Sequence, residues 1–391
     1  MSTAPQPKKS KTSKPPKVVS AKSKRGAPGG SGIDSKGRGG GRERFGTYEL
    51  TKVLSHYDVG VIEGIQEFPR GSRKSPKLIL KSDTGFYLLK RRPQGKDSPY
   101  KVAFCHNIQL YLARKQFPLP QLIGTRRENN SMLQLDDEIY ELFEYIKGTS
   151  YDSSLEATHD SGRILALFHK LLADHEPENY DPPTVSYHDN KSVRIAMEKL
   201  PETLEKRTSP DADTLAEINQ VNDQLSEFYE QCYQEIEDAG LSEWPVQIVH
   251  GDWHPGNMLY RGSRVVGVID YDTARIYQRI IDVANGALQF SIVGGSEDPS
   301  TWPARFDEPR LKRFLQGYDS VPNCVLSRAE LEVSPPLMIE ALIAEAVIPI
   351  ANTGQFATID GFAFMKMMVR KIQWLRENAE KISNILESDS K

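Results

Sequence analysis

The chain has 391 residues, 38% of them hydrophobic and 26% charged, with a net charge of −3. That is long enough for two domains and a large core, no apolar run approaches the roughly 20 residues that span a bilayer, and the Lys/Pro/Ser-rich start has no apolar segment of signal-peptide type. Three widely separated cysteines, Cys105, Cys232 and Cys324, argue against a disulfide framework or a metal knuckle and for reduced, buried thiols in a cytoplasmic setting.

Charge is divided unevenly. Residues 1–44 carry 12 Lys/Arg against 2 Asp/Glu, and the remainder 38 against 51, so a basic tail precedes an acidic body. The tail contains Pro15-Pro16, Gly29-Gly30 and Gly39-Gly40-Gly41 and almost no large apolar residues. Such a segment buries too little surface to offset its ordering entropy, and disorder is expected over 1–44. Contact with nucleic acid or another polyanion by charge alone is one use for it. A solubilising tail is the preferred reading, because no aromatic is interleaved with the basic residues.

Residues 45–143 read as a β-rich lobe with one helix. A strand over 59–65 leads into Pro69-Arg70-Gly71-Ser72, which is turn-like. Strands over 77–81 and 86–90 form a hairpin around Ser82-Asp83-Thr84-Gly85, the second ending on Lys90. Helical periodicity over 102–114 stops at Phe117-Pro118-Leu119-Pro120. Residues 139–147 alternate as a core strand running into Gly148. Residues 150–240 are helical, with one broad apolar face over 161–172 and a second long helix over 214–239. Residues 285–385 are mostly helical, with breaks expected at Gly294-Gly295, Pro335-Pro336 and Gly354. No internal repeat of 20–50 residues is present.

The chemistry concentrates in His250-Gly251-Asp252-Trp253-His254-Pro255-Gly256-Asn257, followed by Ile269-Asp270-Tyr271-Asp272. The strand over 246–249 feeds this stretch, and Pro255 and Gly256 keep Asp252 on a loop. A hairpin over 257–269 can bring Asn257 beside Asp270. One loop carboxylate can receive a hydroxyl proton. An amide and a second carboxylate suit Mg²⁺, which takes oxygen ligands and leaves positions for phosphate and water. Taken singly, either Asp could be a turn or strand-end residue satisfied by backbone N–H groups; four polar positions in kinase order and spacing argue otherwise. Zn²⁺ is not indicated, since no Glu follows His250 in the H-E-x-x-H manner. His250 reads as structural, hydrogen-bonding the loop backbone. His254 suits either the site or plain loop surface.

His-Gly-Asp-x-x-x-x-Asn followed by Ile-Asp-x-Asp resembles the aminoglycoside phosphotransferase and choline kinase superfamily, nearest its homoserine-kinase-like and spore-coat-kinase-like branches. The resemblance follows element order over about residues 45–385 and is sharp over 248–284. It implies an α+β, two-lobed, protein-kinase-like fold: a β-rich N-lobe over 45–143, a hinge over 144–149, and a mainly helical C-lobe over 150–385. The catalytic loop would lie at 250–257 and the metal site at 270–272. It further implies ATP and Mg²⁺ as cofactors and transfer of the γ-phosphate to a hydroxyl of a small molecule, with no membrane partner. Asp252 matches the catalytic Asp, Asn257 and Asp270 the metal ligands, and Asp272 a second acid of variable role. Asp282 matches a residue that braces the catalytic loop, and also suits a helix cap. Lys90 matches the strand lysine that pairs with phosphates. Gly71 and Ser72 stand where the phosphate-covering loop would be, although G-x-G-x-x-G is absent. Peptide groups of Glu144, Tyr145 and Ile146 match the adenine-binding hinge. The helix carrying Gly162 and His169 resembles the family's Gly-x-x-Leu-Ala-x-Leu-His helix, with His169 read as a packed core histidine.

The family sets a Glu on the helix after the strand lysine. Here the facing positions are Cys105, His106 and Gln109, with no acid among them, and Asp97 lies outside the helix. That departure keeps a second reading open, a non-catalytic kinase-fold scaffold. The acceptor expected is an amino alcohol, an amino acid or an aminoglycoside-like compound, the acidic body favouring one that carries an amine. Glu340, Glu345, Asn352, Gln355 and Trp374 lie where the family builds its acceptor site, and each also suits ordinary helix surface or core.

Overall fold

Helix α1 (Thr47–Leu54) opens the N-lobe, its start closed by the Gly46 N–H donating to the Glu49 carboxylate (3.0 Å). The reading of 45–143 as holding one helix missed it, because two turns give too little periodicity to register. The computed structural model describes residues 42–69, 71–177, 185–295 and 297–386, so the expected disorder of the tail falls, up to residue 41, outside the described residues. Gly60 turns the chain at φ +72°, and the Val61 N–H donates to Asp83 Oδ1 (2.8 Å). Strand β1 (Ile62–Glu67) therefore starts later than the alternation suggested. Strands β2 (Lys77–Ser82) and β3 (Phe86–Arg91) form the expected hairpin, followed by α2 (Pro99–Arg114), β4 (Leu133–Leu135) and β5 (Glu138–Glu144).

These strands make one antiparallel sheet in the order β1-β2-β3-β5-β4. Its register sets Lys77 opposite Lys90, and Lys90 opposite Glu141. Residues directly opposite in a ladder share a face, so three charged side chains converge on one side of the sheet. Val53, Leu80, Leu89, Tyr140 and Leu142 pack into the lobe's own core.

The C-lobe begins with α3 (Leu155–Leu172), capped by the Ser154 hydroxyl accepting from the Ala157 N–H (3.2 Å). Helices α4 (Lys191–Thr208) and α5 (Ala212–Asp238) precede four short strands: β6 (Val246–Val249), β7 (Met258–Arg261), β8 (Arg264–Val268) and β9 (Arg275–Gln278). β6 pairs with β9 and β7 with β8, two ribbons that carry the 250–257 and 269–274 loops. Helices α6 (Ile280–Ser291), α7 (Glu308–Asp319), α8 (Arg328–Thr353) and α9 (Gly361–Glu377) complete the lobe. Gly162 of α3 and Gly317 of α7 permit backbone contact between those helices; a Cβ on either would stand 2.0 Å from a carbonyl oxygen of the other helix.

Helix α8 is the core helix, and it corrects two expectations. It runs unbroken through Pro335 and Pro336, where a break was expected. Packing by α4, α5 and α6 against it, with Leu337, Met338 and Ile339 fully buried, outweighs the hydrogen bonds that the prolines forgo. It is also long and apolar enough to cross a membrane, with a mean hydropathy of 1.6 over its best window, although no such run was expected. Of that window 83% is buried within the fold, the pattern of a helix surrounded by others. All three cysteines are buried and unpaired, as expected.

α8 also delivers Glu340 to a buried cluster. His188 Nδ1 lies 2.8 Å from Glu340 and its Nε2 3.1 Å from Glu237. Burial pushes the Glu340 carboxyl up to about 7, against the pull of His188. Burial disfavours the charged His188 ring, but the two carboxylates raise its pKa. Both groups thus hold a proton more tightly in the folded state. Glu340's share of stability is complete below about pH 4.5 and lost as the pH rises to about 7, and His188's is lost above its own raised pKa. Thermal melts between about pH 5 and 8 should show Tm falling less steeply with pH in Glu340→Gln than in wild type. Equal slopes would remove the cluster from the pH response.

Candidate active site

The loop after β6 is held from behind. Asp282, in the first turn of α6, accepts the N–H groups of His250 (2.6 Å) and Gly251 (2.8 Å), and meets His169 Nε2 at 3.2 Å. His169 Nδ1 meets the Tyr318 hydroxyl at 2.8 Å. The expected brace is therefore present in the geometry, and the core histidine of α3 belongs to it. Burial opposes charge on Asp282, but His169, His250 and the backbone N–H hold its pKa below the ordinary value.

His250 departs from expectation. Its backbone is tied at both ends, the carbonyl accepting from Thr273 Oγ1 (3.0 Å). Its ring instead fills a box made by Phe168, Trp253 and Tyr271, and neither ring nitrogen has a hydrogen-bond partner among the described residues. Burial lowers its pKa, so the ring is neutral.

Asp252 projects from this loop, partly exposed. The Asn257 amide donates to the Asp252 carbonyl (3.0 Å) and to its Oδ2 (2.8 Å), which orients the carboxylate. The same bonds spend the Asn257 NH₂ and leave its Oδ1 without a donor among the described residues. The Ile269 N–H donates to the Asn257 carbonyl (2.9 Å), bringing Asp270 alongside. Asp270 sits in the left-handed region at φ +66°, exposed, with no hydrogen bond or ion pair among the described residues. A carboxylate unpaired among the described residues and an amide oxygen without a donor there are ligand types that fit Mg²⁺, whose other positions would go to phosphate and water. Among the described residues no three His, Cys, Asp or Glu side chains gather as an all-protein cage.

His254 Nδ1 accepts from the Gly256 N–H (3.0 Å), and its Nε2 faces Asp252 at 3.5 Å. Burial disfavours charge on this ring, but Asp252, with Glu345 and Asp270 beyond, raises its pKa. His254 therefore lines the site. Glu345 of α8 is reached by water yet walled by protein; it accepts from Gln289 of α6 and lies in the field of His254 and Asp252. Two of the other acceptor-site candidates lie elsewhere. Glu340 is in the His188 cluster, and Trp374 packs against Phe306 with centroids 5.5 Å apart.

The acid that α2 lacks comes from β5. Glu141, fully buried, meets Lys90 Nζ at 3.4 Å, Arg92 Nη2 at 2.8 Å and His106 Nε2 at 2.7 Å. Asp272 meets Arg92 at 2.8 Å and Lys90 at 3.4 Å. Burial opposes charge on Glu141, but the cations hold its pKa well below the usual carboxylate range. Asp97 takes no part in this network; it accepts from the Gly95 N–H within its own loop. Helix α2 contributes His106, and Cys105 Sγ donates to the Tyr271 carbonyl (3.2 Å), linking that helix to the 269–274 loop. Glu141, Arg92 and His106 were missed. The β3–β5 register would have found Glu141, but a sequence does not display register between strands about fifty residues apart.

The hinge expectation narrows. Glu144 N–H already donates to the Gln121 carbonyl (2.8 Å) and Tyr145 N–H to that of Phe86 (2.9 Å). The Ile146 N–H has no acceptor among the described residues. The Ile146 side chain lies against Gly267, where a Cβ would approach it to 3.1 Å. In the covering loop, Gly71 has φ +80°, and Arg42 gathers the carbonyls of Pro69 (2.6 Å), Gly71 (3.2 Å) and Ser72 (2.9 Å). The Ser72 hydroxyl accepts from the Lys74 N–H (3.2 Å). Arg42 thus ties the described loop residues Pro69, Gly71 and Ser72 together.

The chain is similar to known proteins. The chain is 24% identical over 243 residues to a homoserine kinase of Beijerinckia indica, covering 60% of this chain and 67% of that one. Among solved structures, amicoumacin kinase in complex with AMP-PNP, Ca²⁺ and Ami superposes with a TM-score of 0.58 at 13% identity, over 86% of this chain and 94% of that one. Choline kinase from Cryptosporidium parvum superposes with a TM-score of 0.55 at 15% identity, over 88% and 99%. These structural likenesses establish the two-lobed, protein-kinase-like fold. The sequence profile of the phosphotransferase enzyme family matches residues 64–326, and with that match over more than half its length the chain belongs to this family and is a small-molecule kinase.

Proposed function

We propose that the chain transfers the γ-phosphate of ATP to a hydroxyl of a small molecule that also carries an amine, an amino alcohol or amino acid before an aminoglycoside-like compound. The observation that carries this reading is the trio of Asp252, Asn257 and Asp270: one carboxylate oriented by an amide whose oxygen has no donor among the described residues, on a residue whose carbonyl is tied to the N–H just before a second carboxylate that is unpaired among the described residues. Asp252 orients the acceptor hydroxyl and takes its proton at Oδ. Asn257 Oδ1 and Asp270 would hold Mg²⁺, which when bound neutralises charge on the transferring phosphoryl group. Lys90, kept in place by Glu141, faces the phosphates, and the free Ile146 N–H is the hinge donor for adenine. The scaffold reading rested on the missing helix acid; Glu141 fills that role from β5, which favours the enzyme.

Glu345 is the residue that favours an amine. It is a carboxylate of the helical lobe within the field of Asp252 and His254, and an ammonium beside it would gain a charge-assisted bond worth about 1.5–3 kcal/mol. Homoserine has the required hydroxyl and amine, and two curated relatives are named for it, so it is the first acceptor to assay, followed by amino alcohols. Calorimetry should register Mg-ATP binding to wild type and its loss in Asp270→Ala; a folded protein that binds no Mg-ATP would end the proposal. Glu345→Gln should raise KM for an amine-bearing acceptor about tenfold or more and leave KM for ATP unchanged. An unchanged acceptor KM would remove Glu345 from the acceptor site. We place this activity in the cytoplasm, in keeping with three unpaired thiols.

A further inference from the structure

Lys77 opens β2 and stands opposite Lys90 in the β2–β3 register. Its side chain reaches beneath the covering loop: Nζ lies 2.8 Å from where a Cβ on Gly71 would stand. A side chain at position 71 would therefore compete with the ammonium for the same space. Lys77 is partly buried, and its surroundings set Lys90 and Arg42 against Asp270 and Asp272.

The two lysines are treated differently by the fold. Lys90 is held by Glu141 and Asp272, and Arg92 by the same two carboxylates. Those two acids are thus already matched by two cations. Lys77 has no hydrogen-bond acceptor and no ion-pair partner among the described residues. An ammonium withdrawn from water, unpaired and close to a second lysine carries a cost that an anion under the loop would relieve. Gly71 closes one side of that space and the charge of Asp270 acts on the ammonium; a metal held by Asp270 would leave its other positions to phosphate and water.

We propose that Lys77 is a second phosphate-binding cation of the cleft, bonding the outer phosphates of a nucleoside triphosphate beneath the covering loop while Lys90 stays paired with Glu141. This rests on the reading of the cleft as a nucleotide site. Lys90 is then largely a positioned, neutralised charge, and Lys77 is the cation whose charge is left for the ligand. The distinction predicts which nucleotides feel its loss: those with a β- and γ-phosphate, and not AMP.

Calorimetry with Mg-ATP and AMP on wild type, Lys77→Met and Lys77→Arg tests it. Lys77→Met should lose about 10–100-fold in affinity for Mg-ATP, as expected for a charged hydrogen bond, with AMP binding unchanged and Lys77→Arg retaining most of the affinity. An independent readout is acylation of wild type by an amine-reactive ester, followed by mass spectrometry. Lys77 should be modified in the free protein and protected by Mg-ATP but not by AMP. If wild type binds Mg-ATP while Lys77→Met binds it equally well, or Lys77 is labelled equally with and without Mg-ATP, this inference alone is overturned. If wild type binds no Mg-ATP, the nucleotide reading fails and takes the inference with it. Should Lys77→Met not fold, labelling of wild type decides.

Discussion

Asp252→Asn is expected to lower phosphoryl transfer by about 10²–10⁴-fold, the usual loss when a positioned general base is removed. The substitution preserves shape. The Asn257 amide also donates to the Asp252 carbonyl, a main-chain group that the substitution leaves in place, so the metal-facing Oδ1 of Asn257 should keep its aim. Nucleotide binding should therefore survive while kcat falls, the pattern of an interaction made only in the transition state. Steady-state kinetics with the best acceptor, alongside calorimetry with Mg-ATP, would register both. A variant that keeps more than about a tenth of wild-type turnover would remove Asp252 from the proton transfer.

Glu141→Leu is expected to destabilise the protein by about 3–5 kcal/mol, because it removes the fully buried one of the two carboxylates that Lys90 and Arg92 share. Glu141 is fully buried between Lys90, Arg92 and His106. Asp272 would be left to face both Lys90 and Arg92 from the other side. Urea unfolding followed by circular dichroism measures the loss. Glu141→Gln keeps the shape and an acceptor oxygen, so it should cost less than Glu141→Leu while still weakening the hold on Lys90. Equal stability of Glu141→Leu and wild type would mean that the cluster does not hold the N-lobe together, and the account of the missing helix acid would fail with it.

The residues nearest the chemistry were legible because their relations are local. Five positions separate Asp252 from Asn257, and one short hairpin separates Asn257 from Asp270. Backbone geometry over such spans leaves few outcomes, and the motif's spacing carries them. Asp282 and His169 were marked by the family resemblance, Asp282 also suiting a helix cap and His169 lying on the helix with an apolar face over 161–172. The hairpin ending on Lys90 was legible from alternation and a Gly-containing turn.

Other features depended on what lies across the fold. His250 looked like a loop-bracing side chain, but its ring is enclosed by Phe168, Trp253 and Tyr271, which come from three other positions in the chain. Pro335 and Pro336 looked like a break, and packing on three sides overrode local preference. Two of the three hinge N–H groups proved to be spent on Gln121 and Phe86, a fact of strand and loop placement. By itself the sequence marked Asp252, Asn257 and Asp270 as the candidate reacting and metal-facing groups, since their relations are set by short spacings along one chain segment. Only the tertiary structure decided which acid restrains Lys90, which lysine is left unpaired among the described residues, and which carboxylate of α8 lies in the field of Asp252. Those depend on strand register and helix packing, where a shift of one residue turns a side chain to the opposite face.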